Sequence, residues 1–95
     1  MNLVVSQAAQ ADLLRLHDFL SDLNPDAARR AIAAIVSAID SLDLFPDRGR
    51  PSLLAGAREL VVPFGASSYI VRYAHDAAQQ ELVILRIWHS REDQE

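Results

Sequence analysis

The sequence predicts an α+β fold in the order βααβββ, with a helical hairpin packed on one face of a small antiparallel sheet. Three observations predict it. Apolar residues recur at helical spacing through two segments up to residue 42, as amphipathic helices require. After residue 58 the pattern changes to short runs rich in Val, Ile and Tyr, separated by turn residues, as strands require. Two amphipathic helices must also bury their apolar faces, and one face of that sheet is the only candidate surface. At 95 residues and 51% hydrophobic content, the chain reads as one domain over 1–95 with one small core.

The elements follow in order. Leu3-Val4-Val5 is a short apolar strand. Ser6 then suits an N-cap, because its hydroxyl accepts an orphan N–H of the first helical turn. Leu13, Leu16, Leu20 and Leu23 form one helical stripe with Phe19 beside it, while Asp12, Arg15, Asp18 and Asp22 take the other faces. Asn24-Pro25-Asp26 ends this helix and starts another, with Asn24 as N-cap, Pro25 at the first position and Asp26 favourable to the helix dipole. Ile32, Ile35, Val36, Ile39 and Leu42 make the second stripe, which stops before Pro46. Residues 46–57 are a loop punctuated by two Pro and two Gly. Glu59–Phe64, Tyr69–Ala74 and Leu82–Trp88 are three strands joined by short turns, an antiparallel meander. Pro63 points to an edge or a strand end.

This arrangement leaves the other sheet face open. Side chains alternate along a strand, so Tyr69, Val71 and Tyr73 share one face while Ile70, Arg72 and Ala74 share the other. On the last strand Val83, Leu85, Ile87 and His89 alternate with Leu82, Ile84, Arg86 and Trp88. Turning the all-apolar sets to the helices puts Arg72 and Arg86 together on the open face. Two neighbouring guanidiniums repel, so a bound acidic group or a nearby Glu is expected between them.

Composition excludes several classes. No apolar run approaches the roughly 18 residues that span a bilayer, and the N-terminus lacks the basic and apolar regions of a signal peptide. A cytoplasmic protein that meets no membrane is therefore expected. The absence of Cys rules out disulfides and thiolate metal sites, and three scattered His do not make a metal site, so no metal and no cofactor are expected. The formal charge of −4 is unevenly spread. Residues 1–47 hold three Arg against seven Asp, whereas residues 48–91 hold six Arg against three acids, and Glu92, Asp93 and Glu95 close the chain. The C-terminal half thus suits an acidic or anionic partner. All nine basic residues are Arg, a planar fork matched to carboxylates and phosphates. An Ala-rich, Lys-free composition also fits a GC-rich bacterial genome.

The last strand ends in Trp88-His89-Ser90-Arg91, bringing stacking, proton-transfer and anion-binding groups to one place. As chemistry the set is incomplete. General acid–base chemistry on a phosphate ester needs a base, an acid and a cation for the developing charge. His89, of ordinary pKa about 6.5, supplies one proton carrier, and Arg72, Arg86 and Arg91 supply charge. A second carrier is missing: His75 lies in a turn, His17 on the helical hairpin, and Tyr69 and Tyr73 point into the core. Each residue also has a structural reading, with His89 as a strand-end cap, Trp88 in packing, Arg58 in an ion pair and Arg48 and Arg50 as solvated loop charges.

Four stretches in order carry a family resemblance: Phe45-Pro-Asp-Arg-Gly-Arg-Pro51, Ala57-Arg-Glu-Leu-Val-Val62, Tyr69-Ile-Val-Arg-Tyr73 and Val83-Ile-Leu-Arg-Ile-Trp-His-Ser-Arg91. With the two leading helices, they resemble the RelE/ParE superfamily of type II toxin–antitoxin toxins over nearly the whole chain. The resemblance implies a helical hairpin on a small antiparallel sheet and a bacterial toxin of the kind tied to plasmid stabilisation. It implies a cognate antitoxin as partner in a hetero-oligomer, its C-terminal segment wrapping the toxin and acidic where it meets the Arg residues. RelE-like members cleave mRNA in the ribosomal A site, and ParE-like members poison DNA gyrase. Ile70 stands where the RelE pattern has a transition-state Arg, lysines are absent, and the tail after Arg91 is acidic and short. The Gly49-Arg50-Pro51 loop and the Arg58-Glu59-Leu60 strand lean to the ParE branch.

The expected function is therefore a ParE-like toxin that binds and inhibits gyrase without being an enzyme. Arg48, Arg50, Arg58, Arg72, Arg86 and Trp88 are the expected target- or antitoxin-binding residues. The alternatives are a RelE-like ribosome-dependent mRNA endoribonuclease, with ribosome and mRNA as partners and His89 and Arg91 as catalytic residues, or a degenerate member that only binds antitoxin.

Overall fold

A computed structural model describes residues 1–92; Asp93 and Glu95 of the acidic tail lie outside the described residues. The elements are β1 (Asn2–Val5), α1 (Gln7–Leu23), α2 (Pro25–Ser41), β2 (Arg50–Pro51), β3 (Arg58–Phe64), β4 (Ser67–Asp76) and β5 (Glu81–His89). Both helix starts form as the sequence dictates. Ser6 Oγ accepts from Ala9 N at 3.1 Å, and Asn24 Oδ1 accepts from Asp26 N and Ala27 N at 3.1 and 3.2 Å. Asn24 also closes α1, its own N–H reaching Leu20 O at 2.7 Å.

The described strands form a sheet in the order β1-β5-β4-β3-β2. The β3-β4-β5 meander is antiparallel. β1 joins it in parallel, Asn2 opposite Glu81 and Val5 opposite Ile84, which makes the sheet mixed. That direction is open to β1 because the whole helical hairpin, not a tight turn, connects it to the sheet. The two-residue β2 lies within the expected loop and pairs with the start of β3.

The core lies between the hairpin and one sheet face. Leu16 of α1 and Ala31, Ile35 and Ile39 of α2 pack with Leu60, Val62, Tyr69, Val71 and Tyr73 of β3 and β4. The contribution of β5 differs from expectation. Arg72 pairs with Arg86 but Tyr73 pairs with Ile84, so Leu85 is an extra residue, a β-bulge. The bulge changes the strand's parity part-way. Leu82 and Ile84 enter the core before it and Ile87 after it, whereas Val83 and Leu85 stay outside. The body measures 42 × 24 × 24 Å, and none of its helices is long and apolar enough to cross a membrane.

Candidate functional site

The exit half of β5 runs past the end of β1, so its outer edge lacks a neighbouring strand. Unpaired edge groups invite another chain, yet here side chains occupy them. Ser6 Oγ donates to Leu85 O at 3.0 Å. Asp12 Oδ2 accepts from Ile87 N at 2.8 Å. Arg15 donates to Ile87 O at 3.3 Å, and Glu92 Oε1 accepts from His89 N at 2.7 Å. The first helix thus stands in for a sixth strand.

Asp12 is the centre of this arrangement. It is 4% exposed, although the sequence places it on a solvent face. It also accepts from Arg86, Nε to Oδ2 at 2.8 Å and Nη2 to Oδ1 at 3.2 Å, and Arg15 approaches at 3.4 Å. Burial alone pushes the Asp12 carboxyl up. The Arg86 hydrogen bonds, the Ile87 N–H and the Arg86 charge together outweigh burial and hold it below the ordinary range. Asp12 in turn raises the Arg86 guanidinium.

Arg72 and Arg86 do meet at paired positions, and each has its own carboxylate. The expected acidic neighbour of Arg72 is Glu59, with Nη2 to Oε2 at 3.0 Å and Nε at 3.3 Å. Ser52 Oγ donates to the same oxygen at 2.9 Å, and Arg50 lies 3.7 Å from the other. The Arg72 guanidinium also stacks over Trp88, 4.9 Å from the ring centroid. Trp88 is buried beneath it, so the indole offers no open stacking platform.

His89 lies beside a cleft of about 530 Å³ that also takes in Leu16, Phe19 and Leu20 of α1, Tyr69, Arg15 and Glu92. Phe19 is 65% exposed at this cleft, and Leu23, one turn further along α1, is 73% exposed. Leu23 therefore leaves the core stripe to which helical spacing assigns it, and Phe19, beside that stripe, opens to the cleft. The His89 ring meets Tyr69 edge-on, centroids 5.3 Å apart, and its Nδ1 accepts from Arg91 N at 3.2 Å. Burial, followed by the Glu92 charge, raises the Tyr69 phenol above its ordinary pKa, which keeps it protonated at neutral pH. Glu92 is ion-paired with Arg15. Arg91 is exposed and pairs with no carboxylate among the described residues. His17 pairs loosely with Asp18 on α1, and His75 lies 4.0 Å from Asp47, so neither joins His89.

The remaining predicted residues gather at the other end of the sheet. Arg58 donates to Gly49 O at 2.7 Å and lies 3.7 Å from Asp47, a loop acid. Arg48 donates to Ser41 Oγ at 2.6 Å. The structure thus divides the predicted set: His89 and Arg91 at the β5 exit, Arg72 and Trp88 in a closed stack, Arg86 on α1, and Arg48, Arg50 and Arg58 about the 46–59 loop. Sequence reasoning missed Asp12 and Glu92 as partners. The available signal was excess cations near one strand, which requires acids from elsewhere in the chain. Among the described residues no group of three His, Cys, Asp or Glu stands together as metal ligands do.

Comparison with known proteins bears on this architecture. A family model described as the ParE toxin of type II toxin–antitoxin systems, parDE, matches residues 3–94. The chain belongs to the ParE toxin family. It is thus a toxin of the type II toxin–antitoxin class. It is 38% identical over 89 residues to Toxin RelE1 of Caulobacter vibrioides, covering 94% of this chain and 92% of that protein. It is 39% identical over 84 residues to Toxin RelE3 of the same organism, covering 88% of each. In structure it resembles the chromosomal ParDE system of P. aeruginosa, with TM-score 0.77, 28% identity and coverage of 94% of this chain and 95% of that one. It also resembles the RelBE2 toxin–antitoxin complex of Mycobacterium tuberculosis, with TM-score 0.64, 27% identity and coverage of 93% and 95%. Both resemblances span the helical hairpin and the sheet described above.

Proposed function

We propose that this ParE family member is held by a cognate antitoxin and, when released, inhibits DNA gyrase by binding it rather than by cutting RNA. The observation that carries the non-catalytic reading is the state of the charged groups around β5. Arg72 is committed to Glu59, Arg86 to Asp12 and Arg15 to Glu92. A phosphorane needs cations free to face it and two proton carriers. Here His89 stands beside Arg91, with Tyr69 as a protonated phenol and the Glu92 carboxylate already held by Arg15. The antitoxin segment is assigned to the cleft between α1 and the β4–β5 ends, where Phe19 and Leu20 offer apolar surface and Arg15 offers charge to an acidic side chain. An amphipathic segment laid in an apolar groove is a recurrent mode of peptide recognition.

A second reading, the RelE-like mRNA endoribonuclease, is favoured by the curated relatives, which are named RelE toxins at 38–39% identity. Induction of the chain without antitoxin separates the two. Altered DNA supercoiling and DNA breaks with intact transcripts are expected. Rapid transcript cleavage that disappears in His89→Ala or Arg91→Ala would overturn the gyrase reading. Growth without any arrest leaves the degenerate, antitoxin-binding member.

A further inference from the structure

Glu92 turns back on the end of β5 and spends both carboxylate oxygens there. Its Oε2 meets Arg15 Nη1, and its Oε1 accepts from His89 N at 2.7 Å. One of these contacts is local, because Glu92 N donates to His89 O at 2.8 Å and closes a turn over residues 89–92. The other is not, since Arg15 stands 77 residues away on α1. The Arg15 guanidinium is also held from its other side. Its Nη2 donates to Ile87 O at 3.3 Å and lies 3.4 Å from Asp12 Oδ1, and the Asp12 charge is shared with Arg86. Nη1 is left for Glu92, and both side chains line the cleft.

Together the two donors make a receptor for one carboxylate. A guanidinium N–H and a backbone N–H converge on the two oxygens of one planar group, and both hydrogen bonds are charge-assisted. The His89 N–H belongs to the edge of β5 that runs past β1, so it needs an acceptor from outside the sheet. The surface beside the receptor is apolar, formed by Leu16, Phe19, Leu20 and Tyr69. That combination suits an acidic side chain carried on a peptide with apolar neighbours. Arg15 and Glu92 remain 43% and 36% exposed. Ion pairs at such exposure are weak, so an incoming carboxylate can replace the internal one.

We propose that Arg15 Nη1 and the His89 N–H form a carboxylate-binding subsite of the cleft, filled by Glu92 within this chain and taken over by an acidic side chain of the antitoxin segment. The chemistry of the occupant is read from the molecule itself, because a carboxylate already satisfies both donors. Binding is an exchange rather than an addition. A second carboxylate beside Glu92 would meet its negative charge at close range, so Glu92 leaves Arg15 as the antitoxin enters. Glu92 therefore lowers antitoxin affinity by the share of toxin in which it holds the subsite. The turn over residues 89–92 sets how tightly the toxin is neutralised. This inference rests on the assignment of the antitoxin to the cleft but does not depend on gyrase being the target.

The test is calorimetric titration of the full-length toxin with its cognate antitoxin at low and high salt. The variants are Glu92→Gln, Arg15→Gln, the double substitution Arg15→Gln/Glu92→Gln, and Phe19→Ser. Glu92→Gln keeps an acceptor for the His89 N–H and removes only the charge that competes for Arg15. It should bind antitoxin about three- to fivefold more tightly, the scale of one exposed ion pair. That gain should be absent in the Arg15→Gln background, as a double-mutant cycle reads it. Salt supplies a second sign. Wild-type binding exchanges one ion pair for another, whereas Glu92→Gln forms one anew, so its affinity should fall more steeply as salt rises. Unchanged or weaker binding by Glu92→Gln would overturn the proposal, and so would an equal gain in the Arg15→Gln background. Phe19→Ser separates the subsite from the cleft. Loss of affinity there without a gain from Glu92→Gln strikes the subsite alone, whereas no loss there removes the antitoxin from the cleft and the subsite with it.

Discussion

Asp12 ties the first helix to the last strand through several groups at once. One buried carboxylate caps the Ile87 N–H, pairs Arg86 and attracts Arg15, so its loss orphans a backbone donor and a guanidinium together. Asp12→Asn keeps the shape but removes the charge, and a cost of about 2 kcal/mol is expected, or about 10 °C in melting temperature for a domain of this size. The pH dependence has a definite sign. The folded carboxyl lies below its unfolded value of 3.8, so its stabilisation is complete above that value and is lost as pH falls through the folded pKa. Thermal melts at neutral pH and below pH 4 should therefore differ less in Asp12→Asn than in wild type. Asp12 was not legible in the sequence. It falls with Asp18 and Asp22 on the helix's polar side, and its partner Arg86 is 74 residues away. Arg72 was legible in kind, because a cation on a sheet strand needs an acid, and Glu59 is that acid.

At the scale of elements, the helix starts were readable and the last strand was not. Ser6 and Asn24 announce their helices by type and position, since capping chemistry is local. β5 is apolar on both faces, so its sequence carries no period from which a parity change at Leu85 can be read. The bulge is a property of pairing with β4. Ser6 joins the two elements, capping α1 through Ala9 N while donating to Leu85 O at the bulge. Ser6→Ala should therefore cost more than a simple cap, about 1–2 kcal/mol. Ser37→Ala on the exposed side of α2 should stay within about 0.5 kcal/mol of wild type. Urea unfolding midpoints compare the two, with an unchanged denaturant slope marking a true stability effect.

For the whole molecule, the balance of charge has a local meaning that the net value of −4 conceals. Asp12 belongs to the acidic N-terminal half, but it crosses to the Arg-rich half and neutralises part of it. Among the apolar surfaces left open are the cleft at one end and the exposed Leu44 and Phe45 beyond α2. The cleft should be where the antitoxin is felt. Phe19→Ser is expected to weaken antitoxin capture about tenfold. It should also reduce the rise in melting temperature that antitoxin confers, as mass action requires. Calorimetric titration and melts of free and bound toxin measure both. Helical spacing puts Leu23 in the core stripe and Phe19 beside it, yet both are exposed, Phe19 at the cleft.

The 42 Å length of the body sets a yardstick for neutralisation. An extended strand advances about 3.3 Å per residue and a helix 1.5 Å. A segment reaching from one end of the toxin to the other thus needs about 13 residues if extended and about 28 if helical. On the proposed reading, an antitoxin tail shorter than this would stay at the cleft end, and a longer one would also reach the far end. Trimming the antitoxin residue by residue should therefore produce a step in potency where its reach falls short of the far pole, rather than a smooth decline.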